Sequence, residues 1–98
     1  MFIFSLNGQA SKLELADMSA RLFSNLGLVQ DCMGNFEQAS ELITKSINLC
    51  KAHDLYEQLQ RGYLSLASIS VKAKDYKSAV QQYNLAAEAA SNVFEQSG

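Results

Sequence analysis

The chain has 98 residues, 48% of them hydrophobic and 18% charged, which suits one small globular domain and argues against a disordered tail. Its formal charge of -2, with both signs interspersed, lacks the basic face that binding to duplex nucleic acid requires. Proline and tryptophan are absent, whereas Ala, Leu, Ser and Gln are abundant, so we expect an all-α fold with short connections.

Neither the cysteines nor the first residues indicate a cofactor or a targeting signal. Cys32 and Cys50 are too few for a disulfide framework and have no neighbouring His pair, which favours a reducing intracellular compartment and predicts no metal site. The opening MFIFSL is apolar, but it has no basic lead and ends at Asn7-Gly8, too short for a signal sequence or a membrane span. We expect an N-terminal apolar segment over residues 1–10 and a repeat domain over residues 11–98.

Apolar residues at a three-then-four spacing predict a first long helix with one buried face. That face is Leu15, Met18, Leu22, Leu26, Val29 and Met33. Ser11 and Glu14 form a capping box at its start, and Gly34-Asn35 ends it. Asn35 can then cap a second helix, with Gln38 at the third position. The second buried stripe is Ala39, Leu42, Ile43, Ser46, Ile47 and Cys50.

The same pattern then starts again. Asp54 and Glu57 make a box-like start for a third helix, and Lys74-Asp75 takes the place of the earlier Gly34-Asn35 break. The apolar positions of the third helix are Leu55, Leu59, Gly62, Leu66, Ile69 and Ala73. Those of the fourth are Ala79, Val80, Tyr83, Ala86, Ala87, Ala90 and Val93, after which we expect fraying over residues 96–98.

The two halves form an internal repeat, because equivalent residues differ by 40 in number. The matched pairs include Leu15 with Leu55, Arg21 with Arg61, Leu26 with Leu66, Phe36 with Tyr76, and Ala39 with Ala79. Two helices per unit at such a period predict a helical-hairpin solenoid of about four helices, in which each unit buries its face against the next. We expect repeat one at about 20–53 and repeat two at about 60–93.

The repeat resembles the tetratricopeptide repeat in two copies. The first copy matches at Phe23, Leu26, Gly27, Gly34, Phe36 and Ala39, and the second at Tyr63, Leu66, Ala67, Tyr76, Ala79, Tyr83 and Ala86. We expect small Gly27 and Ala39 to let the paired helices approach closely, and aromatic residues such as Phe36 and Tyr83 to wedge into the core. The unit of 40 residues is longer than the usual tetratricopeptide period of about 34.

A narrower resemblance lies in KSINLCKAHDLYEQLQRGYLSLASI, residues Lys45 to Ile69, preceded by RLFSNLGLVQDCM. This stretch is similar to the amino-terminal repeats of Tonsoku-like proteins, which are scaffolds of replication-fork repair. The resemblance implies a nuclear protein whose partner is a histone H3 tail. The element Asn25-Leu26-Gly27 is also shared with kinesin light chains and spindle-orientation adaptors, so those families remain alternatives.

The repeat resemblance places the first helix of each unit on a concave surface that can hold an extended peptide. The predicted peptide-binding residues are Arg21, Ser24, Asn25, Leu28, Arg61, Leu64, Ser65, Ser68 and Lys72. Asp31, Cys32 and Val71 are expected on the same face. An amide such as that of Asn25 can bind a peptide backbone, and the guanidinium group of Arg21 can add a carboxylate or a carbonyl.

We predict a non-catalytic binding module, since His53 and Cys32 have no partner at the spacing of a catalytic pair. We expect no cofactor, no direct nucleic-acid contact and no membrane association. Further repeats or a second copy can dock at the apolar ends, near Phe2, Phe4, Leu6, Val93 and Phe94. The alternative function is a purely structural fragment that self-associates through MFIFSL and the last helix without binding a peptide.

Overall fold

A computed structural model describes residues 11–97, and this part of the chain forms four α-helices. They are α1 (Lys12–Cys32), α2 (Phe36–Ala52), α3 (Tyr56–Lys72) and α4 (Tyr76–Ser97). Consecutive helices pack side by side, and α1 also contacts α3. The predicted all-α solenoid of helical hairpins is confirmed. α4 continues to Ser97 instead of fraying from Gln96, and the apolar segment at residues 1–10 lies outside the described residues.

All three turns between the helices have the same backbone form. Gly34, Asp54 and Lys74 have φ angles of +83°, +53° and +64°. In each turn the next amide donates to a carbonyl five residues back at 2.9 Å, from Asn35 to Gln30, Leu55 to Cys50 and Asp75 to Ser70. A left-handed residue followed by such a bond is the Schellman end of a helix. The two predicted breaks are confirmed. Asp54, predicted as the start of a helix, instead lies in a third turn of the same form.

The helix starts agree with the sequence only in part. The Ser11–Glu14 capping box is confirmed, since the Glu14 amide donates to Ser11 Oγ at 3.1 Å. The predicted caps of α2 and α3 are wrong: the Asn35 side chain donates to Gln30 instead, and α3 has no side-chain cap. At the equivalent of Asn35, Asp75 does accept a bond from Ser78, and bonds from the Ser78 side chain and backbone lower the pKa of Asp75.

The core is centred on α2, which has hairpin partners on two sides. Its predicted stripe is buried or half-buried throughout. α1 approaches so closely that a Cβ placed on Gly27 would lie 2.6 Å from Ile43 Cγ1 and 3.2 Å from the Ala39 carbonyl oxygen. On the α3 side, a Cβ placed on Gly62 would lie 2.7 Å from Ile47 Cγ1. Two glycines therefore set how close α1 and α3 come to α2.

The apolar stripe of α1 and part of the predicted stripe of α4 are exposed, contrary to prediction, whereas Ala79 and Ala86 of α4 are buried as predicted. The α1 stripe, the six apolar residues expected to be buried, is 37% to 66% exposed and consists of Leu15, Met18, Leu22, Leu26, Val29 and Met33. An equivalent α4 stripe of exposed residues consists of Tyr76, Val80, Tyr83, Ala87 and Phe94. α1 instead buries Ala16, Ala20 and Gly27. Both helices lie at the ends of the described stack, so one apolar face of each lacks a neighbour. Tyr83 is therefore not a core wedge, whereas Phe36 does pack against the core.

Replacing Gly27 by Ala tests the close approach of α1 to α2. Alanine gains about 1 kcal/mol of helix propensity over glycine, whereas overpacking a tight contact costs about 1–3 kcal/mol. Because the Ala39 carbonyl cannot move aside as a side chain can, we expect the free energy of unfolding to fall in urea titrations. Asn48→Ala, at an exposed position of α2, is the control and should not destabilise the chain. A more stable Gly27→Ala variant would contradict the close contact.

The turns give a second prediction. Lys74 occupies the left-handed region that costs a non-glycine residue about 1–2 kcal/mol. Lys74→Gly should therefore raise the midpoint of thermal unfolding, while Gly34→Ala should lower it, although a Cβ at Gly34 would meet no atom within 4 Å. Circular dichroism melts of the two variants provide the measurement. If both changes shift the midpoint in the same direction, the backbone explanation is wrong.

Candidate functional site: the groove between α1 and α3

A groove of about 460 Å³ lies between α1 and α3. It is lined by Arg21, Ser24, Asn25, Leu28, Ser46, Gln58, Arg61, Leu64 and Ser65. Seven of these residues belong to the predicted peptide-binding set, and Ser46 and Gln58 are additional. The structure thus brings most of that set together on one surface, and whether they bind a peptide stays a prediction.

The floor of the groove comes from α2, behind the two lining helices. Ser46 is buried, and its hydroxyl donates to the Ala20 carbonyl of α1 at 2.7 Å. Ser46 is buried, as its place in the predicted stripe of α2 indicated. The helical period alone does not show that this residue also lies at the base of a groove. The position of Gln58 in the groove was not predictable from the sequence either, because its hydrogen-bond partner, Asp17, lies in the other half of the chain.

Two polar links join α1 to α3, one toward each end of the groove. At the first, the Asp17 carboxylate of α1 accepts a hydrogen bond from the Gln58 side chain of α3. Asp17 also forms an ion pair with Arg21 of its own helix, with 3.1 Å between Oδ2 and Nε. At the second, Lys72 Nζ lies 2.8 Å from Asp31 Oδ2. The Asp31 side chain is only 11% exposed, and its Oδ1 has no hydrogen-bond partner among the described residues. The two links hold the lining helices side by side.

Three residues predicted on the concave face do not line this groove, and their part in peptide binding stays a prediction. Lys72 does not line the groove, and its ammonium group is paired with Asp31 of α1. Ser68 is half-buried and also lies outside the lining. Cys32 is exposed but does not line the groove. Along α3, the groove lining runs from Gln58 to Ser65.

The chemistry of the lining is cationic and amphipathic. Arg21 and Arg61 each pair with an acid four residues earlier, at 3.1 Å to Asp17 and 3.2 Å to Glu57. A guanidinium group carries five N–H donors, so one ion pair leaves donors for a ligand. Leu28 and Leu64, 42% and 41% exposed, add apolar surface. These groups together suit a ligand with both backbone amides and apolar side chains.

The Asn25 side chain is the clearest unused polar group of the groove. Its equivalent in the second repeat is Ser65, and both line the groove. Within residues 11–97, the Asn25 amide has no hydrogen-bond partner, although it lies one helical turn from Arg21. A side-chain amide can donate and accept at once, as a peptide backbone requires.

Reactive groups are few in the described part of the chain. No group of three His, Cys, Asp or Glu residues within residues 11–97 is placed to hold a metal ion. Both cysteines are free, and burial raises the pKa of the Cys50 thiol. Among the helices described here, none is long and apolar enough to cross a membrane.

The stacked hairpins, the 40-residue period and the concave groove define a solenoid of two tetratricopeptide-like repeats. The chain is similar to Tonsoku-like proteins: it is 36% identical over 91 residues to that of Drosophila melanogaster, 34% over 85 residues to that of Danio rerio, and 32% over 76 residues to that of Bos taurus. These matches cover 92%, 87% and 78% of the chain but only 6% of each relative's length. No protein-family model matches the chain, and no solved structure matches it significantly. The resemblance to Tonsoku-like proteins is confirmed.

Replacing Lys72 by Ala tests the link between α1 and α3. The change leaves the nearly buried Asp31 carboxylate without its cation, and an unsatisfied buried polar group costs about 1–3 kcal/mol. We therefore expect the free energy of unfolding in urea to fall by an amount in that range. Lys77→Ala removes an exposed lysine of α4 and is the matched control. Equal effects of the two changes would show that the ion pair does not hold the helices together.

Proposed function

We propose that this chain is a non-catalytic protein-interaction module whose α1–α3 groove binds an extended peptide. The observation that supports the proposal is the groove itself, which combines the unpaired Asn25 amide with two half-exposed leucines between two arginines. The similarity to Tonsoku-like proteins over most of the chain supports a repeat-type interaction module of a DNA repair scaffold.

In the proposed complex each type of lining residue has one role. Asn25 binds a main-chain amide of the peptide, and Leu28 and Leu64 cover apolar side chains. Arg21 and Arg61 use their remaining N–H groups for carbonyl or carboxylate oxygens. Specificity comes from the spacing of these groups, because buried area alone does not determine affinity.

The finer proposal is that the peptide is the unmodified tail of histone H3, which would place the protein in the nucleus during replication-coupled repair. Such a tail is rich in Lys and Arg, so its cations need acidic partners. Asp17 and Glu57 supply them beside the groove, where they now pair with Arg21 and Arg61. Binding would exchange these internal pairs for pairs with the tail and turn both guanidinium groups toward peptide carbonyls.

Calorimetry of the purified chain with the H3 tail tests the proposal. Asn25→Ala removes a hydrogen-bonding group that nothing else in the described chain uses, so we expect affinity to fall about tenfold without loss of stability. Asn48→Ala, which removes an exposed amide of α2 away from the groove, is the matched control and should bind like the native chain. Arg21→Ala should also weaken binding.

Two further peptides separate the general proposal from the finer one. A scrambled H3 tail has the same charge, and equal binding of the two would reduce the interaction to nonspecific attraction. An acidic peptide of the same length tests whether the arginines prefer a carboxylate. If only the acidic peptide binds, saturably and in a way that depends on Asn25, the histone assignment is refuted. The general proposal that the groove binds a peptide would still hold. Absence of saturable binding to either peptide would contradict a peptide-binding groove.

A further inference from the structure

The two exposed apolar stripes occupy equivalent positions to an interface that already exists inside the chain. Shifting four of the five α4 stripe residues back by 40 places Tyr76, Val80, Tyr83 and Ala87 on Phe36, Ser40, Ile43 and Ile47 of α2, whereas Phe94 falls on the turn residue Asp54. Ile43 and Ile47 are buried, Phe36 packs against the core and Ser40 is half-buried. These α4 residues are therefore equivalent to the residues that α2 packs into the core.

The same shift relates the α1 stripe to α3. Four of the six α1 stripe residues, Leu15, Leu22, Leu26 and Val29, move forward by 40 onto Leu55, Gly62, Leu66 and Ile69, whereas Met18 and Met33 fall on Gln58 and the exposed Ala73. Gly62 and Ile69 are buried, and Leu55 and Leu66 pack against the core. What is exposed on α1 is therefore equivalent to the face that α3 packs inward. The contact between α2 and α3 thus provides an internal template for a contact between α4 and α1.

At the centre of the proposed contact, a small residue faces a large one, as it does between α2 and α3, but the helix that carries the large residue is exchanged. Inside the chain, large Ile47 of α2 lies against small Gly62 of α3, where even a Cβ would come within 2.7 Å. At the equivalent positions α4 has small Ala87 and α1 has large Leu22. Since tight packing requires a large residue opposite a small one, Ala87 and Leu22 can fill the same space in the reverse direction.

We infer that the α4 stripe of one copy binds the α1 stripe of a second copy, head to tail, in the register of the α2–α3 contact. This goes beyond the proposed peptide binding, because it uses the ends of the stack and not the groove. Two unlike surfaces that meet in this way leave one stripe free at each end of the assembly, so further copies can be added without closure.

The proposed contact is apolar and lacks the polar links found within a chain. The 40-residue shift replaces the Asp17–Gln58 link by Glu57 of one copy facing Met18 of the second. The same shift replaces the Asp31–Lys72 link by Val71 facing Cys32 of the second copy. Neither pair can form an ion pair. Association should therefore persist at high salt, which screens exposed charges but not apolar contacts.

Two variants with one blocked end each test the inference by analytical ultracentrifugation. Leu22→Asp places a charge in the α1 stripe and Ala87→Asp places one in the α4 stripe, both at exposed positions where folding is not affected. We expect the native chain to increase in mass with concentration beyond a dimer, and each variant alone to be a monomer. An equimolar mixture should form a one-to-one dimer and nothing larger, because one intact stripe of each kind remains. Gln81→Asp, exposed but outside the stripe, should associate like the native chain.

Other outcomes would overturn the inference. A native chain that stays monomeric at all concentrations has no such contact. If one variant alone still dimerises and mixing adds no new species, one stripe pairs with itself. A size exchange provides an independent check: Ala87→Ile should weaken association at least tenfold, and adding Leu22→Gly should restore it by recreating the Ile47–Gly62 pair. Circular dichroism spectra should show that these variants remain helical. If the double variant is folded but does not recover self-association, the proposed register is wrong.

Discussion

The position of α2 between α1 and α3 is the constraint on which the rest of the structure depends. Gly27 on one side and Gly62 on the other allow the two helices to approach the Ile43 and Ile47 side chains, which fill the space that a Cβ would need. Because both helices pack on the same central helix, they come to lie next to each other. The groove is the surface left between them, and its base is the Ser46 hydroxyl of the same central helix.

Packing alone does not keep a groove open at a fixed width, and the polar links complete the arrangement. Asp17 with Gln58, and Asp31 with Lys72, connect α1 to α3 on either side of the lining residues. Separating the helices would leave the nearly buried Asp31 without its cation, so the second link resists their separation. Arg21 and Arg61 are each paired with an acid on their own helix, Asp17 and Glu57. The site is thus built from contacts between repeats as well as within them.

The sequence predicted what depends on a single helix and its period. The stripe of α2, the Ser11–Glu14 box, and the breaks after α1 and α3 all follow from spacing and residue type, and seven groove residues follow from the repeat. The exposed α1 stripe was mispredicted because an apolar period shows that a face can be buried but not whether a neighbour is present. Asn35 and Asp75 look equivalent, yet only Asp75 caps its helix, since Asn35 has Gln30 within reach. The Lys72–Asp31 ion pair could not be predicted, because its two residues lie on different repeats.

The order of the helices also determines how the described chain should open locally. α2 and α3 each have a consecutive helix packed on both sides, whereas the outer side of α1 and of α4 is exposed and has no consecutive helix among the described residues. In a linear array, the free energy of opening a unit is the sum of its own stability and that of each contact with a neighbour. Backbone amides of the two outer helices should therefore exchange with solvent through partial opening, while those of the inner pair exchange only when the whole domain unfolds. The helix that forms the floor of the groove belongs to the part of the chain that opens last.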